Sequence, residues 1–346
     1  MLTVFFNRSY ATNAHVIGML RDNPDGEKVR IVGTHADPDS PVLAACDEAY
    51  PEPDDSVTGA DYVRWALQFC TDHDVDVFIP RLHMADLTAA AGLFARCGVT
   101  LLASPAAAVR VFEDKAAGYA AAELLGLPTP PHHVITTAPA LAAAVEDLGG
   151  VTDRVCIKPV TGVGAEGFRV LSRAPMTLAG LLGPLTPTVA MGQVYETLRA
   201  ATAAGVVVPP LLVLPFLTGP EVSIDTLADA DGRTIASIGR VKGRRRRLIV
   251  DDKQARTVAD TLIAAHRIGY LSNTQVRYWQ HPDEPMPRPY LLEVNTRISG
   301  GLFQTALAGV NLPWAAVRMA TGRGADLPRP IYDVAYAMVD TLVPLL

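Results

Sequence analysis

Cysteine is scarce in this chain, with four in 346 residues: Cys46, Cys70, Cys97 and Cys156. They form no C-x-x-C pair and no metal-ligand spacing, which argues against a disulfide framework or a zinc knuckle. The thiols read as buried or free in a reducing compartment. Long apolar runs are also missing; no stretch approaches the ~18 residues that span a bilayer. The N-terminus, MLTVFFNRSYATNAH, lacks the charged-then-apolar layout of a signal peptide. A soluble, cytoplasmic protein with no membrane partner is the expectation. Excess charge is small as well, a net −6, which gives no electrostatic reason to expect nucleic acid as a partner.

What is present fits an enzyme with more than one domain. Hydrophobic residues make up 49% and charged ones 19%, and the length is ample for two or three cores. LTVFF at 2–6, VRIVGTHAD at 29–37, VDVFIP at 75–80 and VTLLAS at 99–104 read as strands. Helical patterns separate them, notably DYVRWALQFCTDHD and ADLTAAAGLFARCG, the latter closed by Gly98. The acidic, proline-containing DSPVLAACDEAYPEPDD between them reads as a loop. This alternation predicts a parallel, doubly wound sheet over roughly residues 1–110. No GxGxxG follows the first strand, so a dinucleotide site there is not expected. Asn7, Arg8 and Ser9, at its carboxyl end, are weak substrate-side candidates.

Past Ser104 the pattern changes. Ser104 and Pro105 predict a capped helix start, and a second helix, DKAAGYAAAELLG, stops at Gly126 before three prolines. VCIKPV at 155–160 is a strand with one lysine, Lys158, in an apolar run that looks buried; a buried lysine needs an anionic partner. Gly162, Gly164 and Gly167 then spell GxGxxG, but the strand FRVL follows instead of a helix. The loop is read as a hairpin tip, either closing backbone N–H groups over phosphates or serving as a surface turn. Residues 172–205 carry helical patches without clear placement. LLVLPFL, EVSIDTLAD and RTIASIGRVKG are further strands, the last leading through Gly243 into Arg244–Arg247. DDKQARTVADTLIAAHRIG predicts a helix ended by Gly269, and NTQVRYW a strand with Gln275 and Arg277 on one face.

The most telling stretch is PYLLEVNTRISGG, residues 289–301. In a strand, Glu293 and Asn295 share a face while Leu292 and Val294 enter a core. A carboxylate and an amide oxygen side by side offer hard ligands for Mg²⁺, and Arg297 adds a fixed cation for phosphate. The alternative is an edge strand with a solvated polar end.

Taken in order, Asp114-Lys115, Ile157-Lys158-Pro159, the glycine loop, GPExS at 219–223, Gln275 and EVNTR at 293–297 resemble the ATP-grasp superfamily. The resemblance covers nearly the whole chain and is nearest the carbamoyl-phosphate-synthetase-like and biotin-carboxylase-like carboxylate–amine ligases. It implies an α/β chain: a Rossmann-like preATP-grasp domain (1–112), then a two-lobed α+β ATP-grasp domain with a small lobe (113–213) and a large lobe (214–346). Lys115 and Lys158 match the lysines that neutralise the α- and β-phosphates of ATP. Leu214, Pro215 and Leu217 match the hinge that reads adenine, and Glu221 the ribose contact. Leu214 departs from the glutamate common in the family, and Pro215 has no N–H, so adenine preference is expected to be looser. Gln275, Glu293 and Asn295 match the triad for Mg²⁺, with Mn²⁺ as a substitute, and the neutral glutamine implies weaker hold on one of two metals.

Arg297 matches the arginine that stabilises the transferring phosphoryl group. For the arginine run, with Arg247 as the catalytic candidate, anionic-substrate contact, a solvated turn and nucleic-acid binding remain open readings. The implied activity is ADP-forming ligation of small-molecule carboxylate and amine substrates through an acyl phosphate, with a homodimer allowed. Its alternatives are kinase-like phosphotransfer on the same fold and a non-catalytic nucleotide-binding protein.

Overall fold

The computed structural model describes residues 1–152, 154–162, 164–243 and 246–339. Its first sheet contains β1 (Leu2–Asn7), β2 (Val29–His35), β3 (Glu48–Pro51), β4 (Val77–Ile79) and β5 (Thr100–Leu101). All are parallel, in the order β3-β2-β1-β4-β5. Val4, Phe5 and Phe6 of β1 are almost wholly buried, as a strand covered on both faces requires. The chain winds from β1 outward through β2 to β3, then returns to lay β4 on the other side of β1. The carboxyl ends of β1 and β4 therefore flank the point where the winding reverses.

Three sequence expectations need correction in this half. The segment read as a loop contains β3, a short edge strand with alternating exposure. The helix expected over residues 85–98 is broken into Met84–Ala89 and Ala91–Arg96. The Thr88 hydroxyl donates back to the Met84 and Ala85 carbonyls there, a bond that competes with the helix ladder. Ser104 does not cap by its side chain; its hydroxyl donates to the Gly269 carbonyl at 3.2 Å.

A second sheet holds β6 (His133–Ile135), β7 (Val155–Pro159), β8 (Arg169–Ser172), β9 (Thr188–Ala190) and β10 (Leu211–Pro215), in the order β6-β10-β7-β8-β9. β7 and β8 pair antiparallel, Cys156 opposite Val170, so the glycine loop between them is a hairpin tip. Helices Ala138–Leu148 and Met191–Ala203 cover the sheet through Leu141, Val145, Leu148 and Leu198.

The third sheet runs β15-β14-β11-β12-β13-β16 and comprises β11 (Glu221–Ala228), β12 (Thr234–Lys242), β13 (Arg246–Val250), β14 (Tyr270–Trp279), β15 (Arg288–Asn295) and β16 (Val334–Ala337). Arg246 and Arg247 open β13, a strand the sequence pattern did not suggest. The helix Lys253–His266 is capped by Asp252, which accepts from the Ala255 N–H, and it ends at Arg267 in left-handed conformation, before Gly269.

By their contacts the residues fall into two compact units. Unit 1 is Met1–Phe112, Glu221–Gln275 and the described residues of Val294–Leu346; unit 2 is Glu113–Pro220 and Val276–Glu293. Among the described residues no helix is long and apolar enough to cross a membrane.

Candidate functional site

In unit 2 the two candidate lysines are held by the groups around the glycine hairpin. Lys115 opens the helix Lys115–Leu124, whose N-cap Asp114 accepts from the Ala117 N–H at 2.8 Å. The Lys115 Nζ donates to the Gly162 carbonyl at 3.0 Å. Lys158 lies half-buried on β7, its Nζ donating to the Tyr119 hydroxyl at 3.0 Å and the Leu292 carbonyl at 3.1 Å. The Tyr119 hydroxyl donates to that same carbonyl at 3.0 Å. Burial drives the Tyr119 phenol far above its ordinary pKa, so it stays protonated and can make this bond.

Sequence reasoning missed Tyr119. Its signal was present: Tyr119 stands four residues after Lys115 on one helix, hence on the same face. In the hairpin tip Gly162, Gly164 and Gly167 have φ of 122°, 64° and 67°, a region costly for side chains. At Gly167 a Cβ would also meet Pro159 Cγ at 2.6 Å.

The hinge candidates lie on and after β10. Leu214 pairs with Cys156 and Pro215 with Val155, and both side chains are buried. Leu217 packs with Trp279 and Tyr290, and its carbonyl accepts from Arg277 Nη1 at 3.3 Å.

In unit 1 a buried polar network runs across the third sheet. Arg240 on β12 is 1% exposed and Asp225 on β11 is 0% exposed, and their side chains form an ion pair. Asn273 Nδ2 donates to Asp225 Oδ1 at 2.8 Å, so the Asn273 oxygen faces the other way. That oxygen accepts from Gln275 Nε2 at 3.1 Å. The chain of donors leaves the Gln275 Oε1 as the outward group of its amide. Ser299 joins the same network, donating to Asp225 Oδ1 at 2.8 Å. Gly301 closes it, for a Cβ there would lie 2.5 Å from Arg240 Nη1.

The remaining candidates have local partners. Glu221 Oε1 lies 3.8 Å from Lys242 Nζ. Arg247 Nη1 donates to the Gly243 and Arg246 carbonyls at 2.8 and 3.1 Å, folding the side chain back over its own turn. Arg244 and Arg245 lie outside the described residues. Arg297 projects over the Tyr10 ring, 5.5 Å from its centroid.

The candidate metal ligands are one carboxylate, Glu293, and two amides, Gln275 and Asn295. Glu293 and Asn295 stand two apart on β15 and so share a face. Among the described residues no group of three His, Cys, Asp or Glu is placed to hold a metal. Carboxylate and amide oxygens suit a hard divalent ion, and the Gln275 Nε2 is engaged by the Asn273 oxygen.

A parallel α/β sheet, a glycine-tipped antiparallel hairpin and a third sheet with an edge strand ending in E-V-N make up an ATP-grasp fold. Residues 207–342 match the family described as ATP-grasp in the biosynthetic pathway with Ter operon. The biotin carboxylase domain of Hydrogenobacter thermophilus 2-oxoglutarate carboxylase, a dimer with MgADP, ADP and bicarbonate, is similar in structure at TM-score 0.64 and 17% identity, over 96% of this chain and 73% of that one. N5-carboxyaminoimidazole synthetase from Staphylococcus aureus is similar at 0.63 and 11%, over 94% and 78%. L-amino acid ligase from Bacillus licheniformis is similar at 0.60 and 16%, over 92% and 74%. No curated protein matches the chain in sequence.

Proposed function

We propose that the protein is an ATP- and Mg²⁺-dependent, ADP-forming ligase that joins a carboxylate to an amine, with amino acids or a small peptide as substrates. The observation that carries this reading is the Lys158 ammonium, fixed by Tyr119 and the Leu292 carbonyl at 3.0 and 3.1 Å beside a glycine hairpin. An ammonium so anchored, with Lys115 at the hairpin itself, suits the α- and β-phosphates of a nucleotide. The similar structures named above, one a biotin carboxylase domain with MgADP and another an L-amino acid ligase, support the same reading.

In this mechanism a carboxylate oxygen of the acid attacks the γ-phosphorus of ATP and ADP leaves. Arg297 holds charge on the phosphoryl group as it transfers. The amine nitrogen then attacks the acyl carbon, loses a proton, and inorganic phosphate departs with the former carboxylate oxygen. Mg²⁺ on Gln275, Glu293 and Asn295 would supply charge neutralisation on the phosphates. No nucleophilic side chain is needed; the protein contributes positioning and fixed charge. The test is a phosphate-release screen over acid–amine pairs with mass spectrometry of the products. Release that requires both partners and yields an amide supports ligation; ADP formation with the acid alone, giving a stable phosphorylated product and no free phosphate, would make the protein a phosphotransferase.

A further inference from the structure

The carboxyl ends of β1 and β4 in unit 1 carry a second concentration of cations. Open parallel sheets bind ligands where the winding reverses, and this is that place. Asn7, at the end of β1 and fully buried, staples the two strands: its Oδ1 accepts from the Arg81 N–H at 2.7 Å, and its Nδ2 donates to the Tyr62 hydroxyl at 2.8 Å. Arg8 follows with a φ of 37°, a left-handed backbone that a non-glycine residue adopts only under constraint.

Three arginines gather here, and only one is neutralised. Arg8 pairs with Glu52 and Asp55. Arg81 lies over the Tyr10 ring, its Cζ 3.8 Å from the centroid, and Arg297 approaches the same ring at 5.5 Å. Among the described residues neither Arg81 nor Arg297 has a carboxylate partner. Arg81 Nη1 donates to the Arg8 carbonyl at 2.9 Å, while its buried Nε has no acceptor. Nε is closed off from solvent and Nη1 is taken, which leaves Nη2, a guanidinium donor with no acceptor among the described residues, to meet a carboxylate oxygen. The loop carrying Arg297 is fitted to the one carrying Tyr10, for a Cβ on Gly300 would sit 3.2 Å from Thr12 Oγ1.

We propose that Arg81, stacked on Tyr10, is the seat for a carboxylate of the acid substrate other than the one that reacts, so that the preferred acid carries two carboxylates. The inference rests on the ligase reading, in which Arg297 serves the reacting group. Arg81 then holds the far end of the same molecule, and the shared Tyr10 ring sets their separation.

The test is a thermal-shift titration, without nucleotide, using dicarboxylates from oxalate to adipate with L-aspartate and L-glutamate, each beside its monoamide. At least one dicarboxylate should raise the melting temperature and its monoamide should not. Arg81→Met should weaken that binding roughly ten- to a hundredfold, the range for a lost charged hydrogen bond. Binding of a fluorescent ATP analogue should stay within about twofold, since no phosphate contact is touched. Arg81→Lys, and Tyr10→Leu without the stacking surface, provide the same comparison if Arg81→Met does not fold. Equal shifts with acid and monoamide, no shift with any dicarboxylate, a shift with inorganic phosphate alone, or binding that survives in these variants would overturn the seat. Failure of the ligase reading is separate. Amide formation with a silent panel removes the seat and keeps the ligase, whereas Arg81-dependent shifts without phosphate release from any acid–amine pair do the reverse.

Discussion

Tyr119 does more to hold Lys158, the lysine proposed to meet a nucleotide, than its place in an alanine-rich helix suggests. Its hydroxyl accepts from Lys158 and donates to the Leu292 carbonyl, so removing it takes an anchor from the ammonium. Tyr119→Phe should raise the KM for ATP roughly three- to tenfold, the equivalent of one ordinary hydrogen bond, with kcat little changed. Unaltered ATP kinetics in a folded variant would show that Lys158 is positioned by other means. The thiols give an independent check on burial. Burial pushes Cys46, Cys70 and Cys156 up to about 12, while Cys97 is exposed. A raised thiol pKa keeps the unreactive protonated form through neutral and mildly alkaline pH. Titration with a thiol reagent near pH 8 should therefore find one fast thiol of the four in the native protein, and all four in denaturant. Two or more fast thiols would contradict the packing around β7 or the first sheet.

Among elements, the β7–β8 hairpin and the third sheet make the sharpest predictions. Gly167→Ala places a methyl against Pro159 at a φ of 67°, so the tip must deform. It should raise the KM for ATP and slow turnover, while Gly164→Ala, strained by φ alone with open space around it, should do less. Equal kinetics for wild type and Gly167→Ala would make the tip a surface turn. In the third sheet, Asp225→Asn leaves Arg240 buried without its counter-charge, a loss of about 3–5 kcal/mol for such pairs, measurable by urea denaturation. It also unsettles the Asn273–Gln275 amides, so Mn²⁺ binding followed by electron paramagnetic resonance should weaken in parallel. Legibility follows the same lines. β1, β2 and β4 are plain in the sequence because strands covered on both faces read as apolar runs. β3 is not, since four edge residues with alternating exposure amid acids and prolines resemble a loop. The helix Leu178–Leu182 exposes its leucines, so that part of residues 172–205 offered no buried face to detect.

At the scale of the whole molecule, the candidate residues that sequence disclosed are those lying in short consecutive motifs, such as Lys158 beside its glycine loop and Glu293 beside Asn295. Those it withheld are assembled from distant segments: Tyr119 with Leu292, Asp225 with Arg240 and Asn273, Arg81 with Tyr10. Pairing across such distances depends on sheet order, which no local pattern encodes. In the proposed ligase, ATP activates a carboxylate before the amine arrives. Positional isotope exchange in ATP, with the acid present and the amine withheld, tests it directly. Wild type should scramble the β,γ-bridging oxygen as acyl phosphate forms and reverts. Arg297→Lys keeps one charge but loses the forked donor geometry, which should cost about 2–4 kcal/mol of transition-state stabilisation and slow the scrambling accordingly. Scrambling that ignores the acid, or that proceeds equally in both proteins, would contradict the acyl-phosphate mechanism.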